Sequence, residues 1–450
     1  MRMGIGLGVG INRSNYAQGI FGAYQSRVVA DGGVTEAGGC VDAGATALLQ
    51  TASLLLIPSG YKANKLYSEI PTNGNGDFTW ARTSTANRTN SSGNLELMAT
   101  GVPRLSYMYG SCPAVLLEPQ RTNLVLRSEE FDDAAWTKSG ATVTANDAIA
   151  PDGTMSADKI TLTSSSGRIA RGVTLTDNVN YTASVFVKNI DATNATIRVR
   201  CTNKAGTVAT ANFILTGSGT ISELSDATAT ITAFANNWYR CTLSFNAQSG
   251  ATTPDLRIIS NATGGLASGE SVYGWGAQLE AGAYPTTYMP TTSATATRVT
   301  DSFSRNNIFT NGLITSSGGT WFVELRNNVA YLRDVFIFDG LSLIDSTNAD
   351  GFIITGGSGS RLAIRKSVAT TLTSLYTTTT DTVKIAIKWN GTSADIFVNG
   401  TKVVSATSFT ATTSLQFLKG NGADVPKFIQ QMALYPSPLS DTDCTTITSL

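Results

Sequence analysis

Short runs in which every second residue is apolar dominate the middle and the end of this chain. Tyr, Ala, Val and Val occupy alternate positions from 181 to 187, and the same period of two recurs at 197–200 and 239–245. Successive side chains of a β-strand point to opposite faces, so each run predicts a strand with one face to bury. Two stacked antiparallel sheets are the simplest way to cover such faces.

The final third of the chain adds tight turns to this alternation. Apolar residues share one face of the predicted strand at 383–389, and Asn-Gly pairs follow at 390–391 and 399–400. Asn and Gly tolerate the positive φ angles of two-residue hairpin turns. Two helices are also expected, one at 42–56 before Pro58-Ser59-Gly60 and a short one near the C-terminus with Ser440 or Asp441 as N-cap.

The fold class predicted from these patterns is all-β, with two antiparallel jelly-roll β-sandwiches after an irregular, partly helical N-terminal docking region. At about 100–200 residues per domain, 450 residues suit two or three domains. Four segments are expected: an N-terminal docking region at 1–75, a connecting β segment at 76–120, a first sandwich at 121–297 and a second at 298–450.

The composition excludes several classes of function. The chain has no histidine, and its 32 basic residues balance its 32 acidic ones. A neutral chain with no basic run offers no electrostatic case for binding nucleic acid or an anionic membrane. Without histidine there is no Ser-His-Asp or Cys-His catalysis and no His-bearing metal site.

The cysteines and the N-terminus point to a chain that folds in a reducing cytoplasm and is retained whole. The five cysteines are widely spaced with no CxxC pair, which argues against a zinc ribbon or a dense disulfide framework. The opening run MRMGIGLGVGINRS is too rich in glycine for the apolar core of a signal peptide. It also lacks the Lys-Ser/Thr of a P-loop, so a docking arm is favoured over a nucleotide-binding loop. The longest apolar run, at 54–57, is far below the roughly 20 residues of a membrane span.

Three strings carry a family resemblance. They are LLEPQRTNLVLRSEEFDDAAWTKSGATVTAN, APDGTMSADKI and VYGWGAQLEAGAYPTTYMPTTSATATR. Together they resemble the carbohydrate-binding-module-like sandwich of tail, fibre and other virion proteins of tailed bacteriophages, over about 116–298. The segment 298–450 is similar to a concanavalin-like (laminin-G-type) lectin sandwich, through WNGTSADIFVNGTKV and ALYPSPLSDTDC. The YQSRVVADGGVTEA stretch and the one beginning LIPSGYKAN resemble the front of similar proteins, including those of crAss-like phages.

The resemblance implies a phage virion structural protein, a fibre or appendage component on the head or tail, and no enzyme. Its lectin-like modules would attach the particle to host-surface glycans. Its N-terminal region would contact other virion proteins, and the protein would be made in the host bacterial cytoplasm. Fibres commonly assemble as symmetric homo-oligomers, and a trimer is expected.

Sugar recognition needs an exposed aromatic face and polar groups beside it. The candidate carbohydrate-binding residues are Trp136, Trp238, Tyr239, Gln278 and Glu280. Gln278 and Glu280 would reach a ligand if Trp275, Ala277 and Leu279 together face the core. The alternative for the aromatic residues is core packing, which takes most aromatics in a small sandwich; the same alternation predicts Trp321 and Trp389 as core.

Paired acids bear on catalysis because glycosidases use two carboxylates about 5–10 Å apart. Glu129-Glu130, Asp132-Asp133 and the Asp441, Asp443 pair lie where acids form turns or start helices. Glu324 lies on a predicted strand without a matched second acid. No catalytic residue, metal ligand or cofactor is therefore expected, and a structural calcium stays open. A purely architectural capsid or tail protein and, less favoured, a polysaccharide depolymerase are the alternatives.

Overall fold

The computed structural model describes residues 18–36, 46–191, 195–202, 207–250, 254–260, 265–315, 317–326, 341–344, 350–357, 361–367, 370–377, 382–391, 393–408, 417–421 and 427–450. The prediction of an all-β chain is confirmed, because strands make up most of these residues and helices few of them. The glycine-rich arm at 4–10 and the first residues of the helix predicted at 42–56 lie outside the described residues.

The first part of the chain contains short elements. They are α1 (Gln18–Ala30), β1 (Val34–Thr35), α2 (Thr46–Leu49), β2 (Leu54–Leu56), β3 (Gly60–Lys62), β4 (Lys65–Leu66), β5 (Phe78–Ala81), β6 (Ala86–Thr89), β7 (Leu95–Met98), β8 (Leu105–Ser106) and β9 (Ala114–Leu117).

Longer strands fill the middle of the chain. They are β10 (Arg121–Asn123), β11 (Thr137–Ser139), β12 (Ala141–Ile149), β13 (Met155–Leu162), β14 (Arg168–Gly172), β15 (Val179–Asn189), β16 (Thr196–Thr202), β17 (Val208–Ile214), β18 (Thr220–Ser225), β19 (Thr228–Ala233), β20 (Tyr239–Ala247), β21 (Asp255–Ser260), β22 (Ser271–Ala281) and β23 (Ala296–Arg298), with a 3₁₀ turn at Ala235–Asn237 before β20.

The last part holds further strands and one helix. They are β24 (Ser302–Arg305), β25 (Gly319–Arg326), β26 (Leu341–Ile344), β27 (Asp350–Gly357), β28 (Arg361–Ser367), β29 (Thr370–Thr377), β30 (Thr382–Trp389), β31 (Ser393–Val398), β32 (Thr401–Ser408), β33 (Phe417–Asn421), β34 (Lys427–Tyr435) and α3 (Asp441–Thr448). None of the helices within the described ranges is long and apolar enough to cross a membrane.

The chain divides into two compact units. Unit 1 comprises Met1–Ser91, Met98–Pro119 and Thr300–Leu450, and unit 2 comprises Ser92–Leu97 and Gln120–Val299. The bounds of unit 2 lie close to the predicted first sandwich at 121–297. Unit 1 combines early and late parts of the chain because strands from both pair in the same sheets.

Unit 1 is built on two antiparallel sheets. One has the order β1-β3-β4-β5-β24-β33-β26-β27-β28-β29, and the other has the order β32-β31-β30-β25-β34-β9-β8 with β2 also paired to β34. The second sheet is buried along β25 and β34, and an apolar cluster with side chains from α2 and α3 packs against it. Trp321 and Trp389 are buried, which confirms their prediction as core.

Of the local predictions in unit 1, a helix cap and a tight turn are confirmed, and one helix is wrong in part. Ser440 is the N-cap of α3, as predicted, and accepts a hydrogen bond from the Asp443 amide at 3.0 Å. Asn399 and Gly400 have the positive φ angles expected of a tight turn between β31 and β32. The helix predicted at 42–56 is wrong beyond Leu49, because residues 54–56 form a strand that is buried on both faces beside β34.

Buried charges in unit 1 neutralise one another. Asp301 accepts hydrogen bonds from Arg82 Nη1 at 3.0 Å and from the Glu118 amide at 2.9 Å, and it also pairs with Arg104. Arg104 Nη1 donates to Glu118 Oε2 at 2.6 Å. All four side chains are almost fully buried, and burial of a charge is tolerated when it is paired and hydrogen-bonded in this way.

Unit 2 is a β-sandwich of two six-stranded sheets. The β11 sheet has the order β11-β14-β21-β16-β17-β18, and the β12 sheet has the order β12-β13-β22-β15-β20-β19. Alternate residues of both sheets form one apolar core, including Val185, Ile197, Val199, Leu243 and Leu256. The other alternate residues lie on the two outer faces, which is where the polar side chains of the predicted strands are found.

Candidate functional site

The three aromatic candidates lie inside unit 2. Trp136 is buried edge-on against Phe131, with ring centroids 4.9 Å apart, and its Nε1 donates to the Arg127 carbonyl at 2.9 Å. Trp238 is buried, and Tyr239 is 6% exposed, with its hydroxyl donating to the Gly217 carbonyl at 3.0 Å. None of the three presents a ring face to solvent, so the structure corrects the expectation of an exposed aromatic platform at these positions.

A β-bulge in β22 changes the predicted faces of that strand. Gly276 has a φ of 66°, and the register of β22 against β15 shifts by one residue there. Ala277 and Leu279 point into the sandwich core, as expected. Trp275 instead lies on the outer face, 5.5 Å from the Phe186 ring, because the bulge inserts one extra residue between them.

Gln278 and Glu280 lie on the outer face of the β12 sheet, but they do not reach solvent. Glu280 accepts hydrogen bonds from the Thr286 amide at 2.8 Å, from Thr286 Oγ1 at 2.6 Å and from Gln278 Nε2 at 2.8 Å. Gln278 Oε1 accepts from the Met289 amide at 2.8 Å. The segment 284–291 covers both residues and both side chains are fully buried, so neither is exposed in the structure, and their role as ligand contacts stays a prediction.

Asn123, in the EPQRTN string, is saturated by hydrogen bonds. Its Nδ2 donates to the carbonyls of Ala277 and Met289 at 3.1 and 2.8 Å. Its Oδ1 accepts from the amides of Val125 and Leu279, both at 3.1 Å. Asn123, Gln278 and Glu280, here called the motif lock, therefore join β10 to β22 and to the segment that follows β22. These contacts account for the three motif residues without a ligand.

The acids near the start of unit 2 have internal partners. Glu129 Oε1 accepts from the Tyr288 hydroxyl at 3.0 Å, and burial raises the pKa of Glu129. Asp158 accepts from the amides of Phe131 and Asn146, and burial raises the pKa of Asp158 to about 6. Among the described residues, no three His, Cys, Asp or Glu side chains lie close enough to hold a metal ion.

The acids of unit 1 are likewise engaged in the fold. Glu324 accepts a hydrogen bond from Gln431 and lies opposite Lys384 on the neighbouring strand. Asp441 pairs with Lys388 and Lys402, and hydrogen bonds from these two lysines lower the pKa of Asp441. These contacts are those of structural ion pairs.

Of the four cysteines that the structure describes, three carry free, buried thiols and one is bonded. Cys112 is disulfide-bonded, whereas the free thiols belong to Cys201, Cys241 and Cys444. Burial raises the pKa of Cys201 and of Cys444 to about 12. Because the thiolate is the reactive form, these thiols are poor nucleophiles at neutral pH.

A cleft of about 260 Å³ opens on the outer face of the β12 sheet, at the end of β15, β19 and β20; most of its exposed lining is apolar, and it is here called the polar cleft after the five polar side chains at its wall. Its lining residues are Asn180, Asp226, Ala227, Thr228, Ser244, Phe245, Asn246 and Ala283. The Asn246 Nδ2 donates to Asn180 Oδ1 at 2.9 Å, and both amides are exposed. Amide, hydroxyl and carboxylate groups thus converge in one concave place on a rigid sheet.

Sequence reasoning missed this cleft because it searched for aromatic residues. The sequence does contain a signal for the cleft, which is the polar half of the alternation. The polar positions, which lie on the face opposite the apolar ones, include Asn180 and Thr182 on β15 and Ser244 and Asn246 on β20. Cross-strand register places Asn180 beside Asn246 and Thr182 beside Ser244. Only that register brings the two polar rows together.

Comparison with known proteins gives fold likeness alone. Neither a protein-family model nor a curated protein matches the sequence. The chain is similar to a solved structure of botulinum neurotoxin type C, at 12% identity and a TM-score of 0.27, over 33% of this chain and 39% of that one. It is similar to the CBM22-1-GH10 modules of Clostridium thermocellum endo-1,4-beta-D-xylanase 10B, at 16% identity and a TM-score of 0.24, over 38% and 30%.

A third similar structure is the enzymatically active domain of bacteriophage CBA120 tailspike protein 4. The identity is 13% and the TM-score 0.23, over 35% of this chain and 21% of that one. All three alignments cover a minority of both chains.

Proposed function

We propose that this protein binds glycans through the polar cleft of unit 2. The observation that carries the proposal is the convergence of Asn180, Asp226, Thr228, Ser244 and Asn246 around a space of about 260 Å³. Sugar hydroxyls both donate and accept hydrogen bonds, and amide, hydroxyl and carboxylate groups match both roles. Because the register of the sheet holds most of these side chains in place, little order has to be gained on binding.

The cleft favours weak binding that is strengthened by multiple copies. Phe245 is only 5% exposed, so it offers little ring surface for stacking on a sugar. Hydrogen bonds to neutral groups contribute modestly because water competes for them. Linking several cleft-bearing copies in one assembly would raise the overall avidity without new contacts.

This need for multiple copies agrees with a role in a phage virion. We propose that the chain is a fibre or appendage component that attaches the particle to glycans of the host surface, as the resemblance over 116–298 suggests. In this proposal the region 1–75 docks to other virion proteins. The chain works as a homo-oligomer, with a trimer expected, and is made in the host bacterial cytoplasm before it enters the virion.

Glycan binding is tested with the full chain on an array of bacterial surface polysaccharides. We expect selective binding that Asn246→Ala weakens about three- to tenfold, the loss of one or two neutral hydrogen bonds. Gln248→Ala is the matched control, because Gln248 is an exposed amide just beyond β20 and outside the cleft lining. Equal binding by both variants, or no binding at all, would contradict the cleft and favour an architectural role.

The virion role is tested by mass spectrometry of purified particles and by light scattering of the isolated protein. We expect the chain among the particle proteins at a copy number that is a multiple of three. Its absence from particles would overturn the virion role while leaving the glycan assay intact. Release of reducing sugar from host capsule by the purified chain would favour the depolymerase alternative instead.

A further inference from the structure

Four arginines share the outer face of the β11 sheet in unit 2. Arg198 and Arg200 lie on β16, Arg257 on β21 and Arg168 on β14. Their neighbours in sequence, including Val199 on β16, point into the sandwich core, so alternation places the arginines on the opposite face. All four are half-buried. In a chain with no net charge this is a local concentration of positive charge.

Two of these arginines are paired with acids. Arg198 Nη2 lies 2.6 Å from Glu223 Oε2, and its Nε donates to Asn212 Oδ1 at 2.7 Å. Arg257 Nε lies 2.6 Å from Asp255 Oδ2. The two acids leave a formal excess of two positive charges on this face.

Arg200 is placed against a like charge. The register pairs it directly with Arg257 across the strands, and like charges in opposed positions destabilise a sheet. Burial and the charge of Arg257 lower the pKa of Arg200. Within the described residues, neither Arg200 nor Arg168 has an ion-pair partner. The fold alone gives no reason for this arrangement.

Four buried polar atoms on or beside Arg198 and Arg200 lack a hydrogen-bond partner among the described residues. Arg200 Nε, Thr202 Oγ1, Asn212 Nδ2 and Asp255 Oδ1 are buried without a hydrogen-bond partner in the part of the chain that the structure describes. Thr202 lies directly opposite Asp255, one step along the same face from Arg200 and Arg257. Buried polar atoms that lack partners are rare in folded proteins and cost stability, so a cluster of them indicates that a ligand supplies the missing partners.

We propose that this arginine face, made of Arg168, Arg198, Arg200 and Arg257 with Thr202, Asn212 and Asp255 beside them, binds the carboxylate or sulfate groups of an acidic glycan. The planar guanidinium fork matches the paired oxygens of these anions, and charge-assisted hydrogen bonds are stronger than neutral ones. The hydroxyl, amide and carboxylate beside it suit the sugar hydroxyls. That the anion is carried by a saccharide rests on the function proposed above; the anion site itself does not.

A nucleic acid fits this face less well. Tight binding of a duplex usually neutralises many phosphates, about 6–10 in strong cases, whereas only two arginines of this face lack an acidic partner within the described chain. Glu223 and Asp255 already pair with Arg198 and Arg257, so the face has room for few anionic groups and not for a continuous row of phosphates. An acidic sugar, which spaces its charges between hydroxyl groups, suits the mixture better.

The test uses the full chain and polysaccharides with a common backbone. Affinity is measured by calorimetry for dextran sulfate, carboxymethyl dextran and unmodified dextran. We expect binding of the two charged forms, weakened by added salt, and at least tenfold weaker binding of dextran. Arg200→Gln should reduce the affinity for the charged forms about tenfold. Lys159→Gln, which removes one positive charge from the outer face of the other sheet, is the control and should change it less than twofold.

Stability provides a second readout that distinguishes a ligand site from a structural one. Arg200→Gln removes the repulsion with Arg257 and no ion pair between described residues, so the denaturation midpoint of the free protein should stay level or rise while anion affinity falls. A lowered midpoint together with unchanged affinity would assign Arg200 to the fold and overturn the proposal.

The remaining outcomes separate this site from the polar cleft. Equal loss of affinity in Arg200→Gln and Lys159→Gln would mean general charge attraction and overturn the site. Tighter binding of a duplex DNA oligonucleotide than of dextran sulfate would replace the glycan with nucleic acid. If Arg200→Gln weakens the binding of dextran sulfate while Asn246→Ala leaves glycan binding on the array unchanged, the cleft proposal is wrong and the arginine-face proposal is supported. If Asn246→Ala weakens glycan binding while Arg200→Gln leaves dextran sulfate binding unchanged, only the arginine-face proposal is wrong.

Discussion

Two groups of buried polar side chains in unit 2 differ in how completely the fold satisfies them. The motif lock gives Asn123 on β10 and Gln278 and Glu280 on the outer face of the β12 sheet a full set of hydrogen bonds to the chain itself. On the β11 sheet, Arg200 and Asn212 are left with polar atoms that have no partner within the described residues. A polar group that the fold satisfies is part of the fold, and one that it leaves unsatisfied is available to a ligand.

The same contrast applies to the motif strings of unit 2. The GAQLEAG string contains two polar residues on an outer face, which from the sequence alone suggests recognition. In the structure the segment 284–291 folds back over Gln278 and Glu280. The Gln278 amide and the Glu280 carboxylate both hydrogen-bond within the chain itself.

The largest expected effect comes from opening the covered face of the β12 sheet. Trp238→Ala should destabilise the protein by about 3–5 kcal/mol, because the ring is fully buried and would leave a cavity. Leu224→Ala is the control, since Leu224 is 52% exposed and should cost less than about 0.5 kcal/mol. Chemical denaturation measures both. If Trp238→Ala kept its stability and lost glycan binding, Trp238 would be a ligand platform after all.

A smaller loss of stability is expected from replacing one asparagine in each of the two groups, Asn123 in the motif lock and Asn212 beside the arginine face. Asn123 and Asn212 are both fully buried, but Asn123 makes four hydrogen bonds and Asn212 accepts one, from Arg198. Asn123→Ala should cost about 2–4 kcal/mol, because four backbone groups lose their partner. Asn212→Ala should cost about 1 kcal/mol or less. If urea denaturation gave equal losses in the free energy of unfolding for the two variants, the distinction between the hydrogen-bonded motif lock and the unsatisfied groups beside the arginine face would be wrong.

The smallest expected effect is a change of the free energy of unfolding with pH, caused by Asp158. Asp158 receives two amide hydrogen bonds but lacks a cationic partner among the described residues, and burial raises its pKa to about 6 from the ordinary 3.8. Between these values the folded protein holds a proton that the unfolded chain releases. The free energy of unfolding should therefore fall as pH rises from about 4 to 6, by up to about 2 kcal/mol from this group.

Denaturation of the wild-type protein and of Asp158→Asn across pH 4–6.5 checks this slope. Burial, with a smaller contribution from the charge of Asp158, also raises the pKa of Glu129, which contributes with the same sign, so the difference between the two proteins reports Asp158 together with its effect on Glu129. The Asp158→Asn variant should show the shallower decline, because its amide does not titrate. Asp226→Asn, which changes an exposed acid in the connection between β18 and β19, is the matched control and should keep the wild-type slope; identical slopes in all three proteins would rule out the assigned role of Asp158.

Sequence reasoning succeeded where one local rule acted alone. Alternation predicted the strands and the burial of Trp321 and Trp389, and the Asn399-Gly400 turn and the Ser440 cap followed from the backbone preferences of their own residues. It failed where a longer-range contact overruled the local preference. The apolar run at 54–57 was expected to end a helix, but it lies in a strand because β34 pairs with it.

The candidate sites were beyond local reasoning for the same physical reason. Alternation determined that Asn180, Asn246, Arg200 and Arg257 lie on outer faces, and the composition determined that hydroxyl and amide groups would dominate those faces. Register between strands far apart in sequence decided that Asn180 meets Asn246 and that Arg200 meets Arg257. The bulge at Gly276 and the returning segment 284–291 decided that Trp275, Gln278 and Glu280 are covered. The period of a strand is written in the sequence, whereas pairing and coverage depend on contacts that exist only in the folded chain.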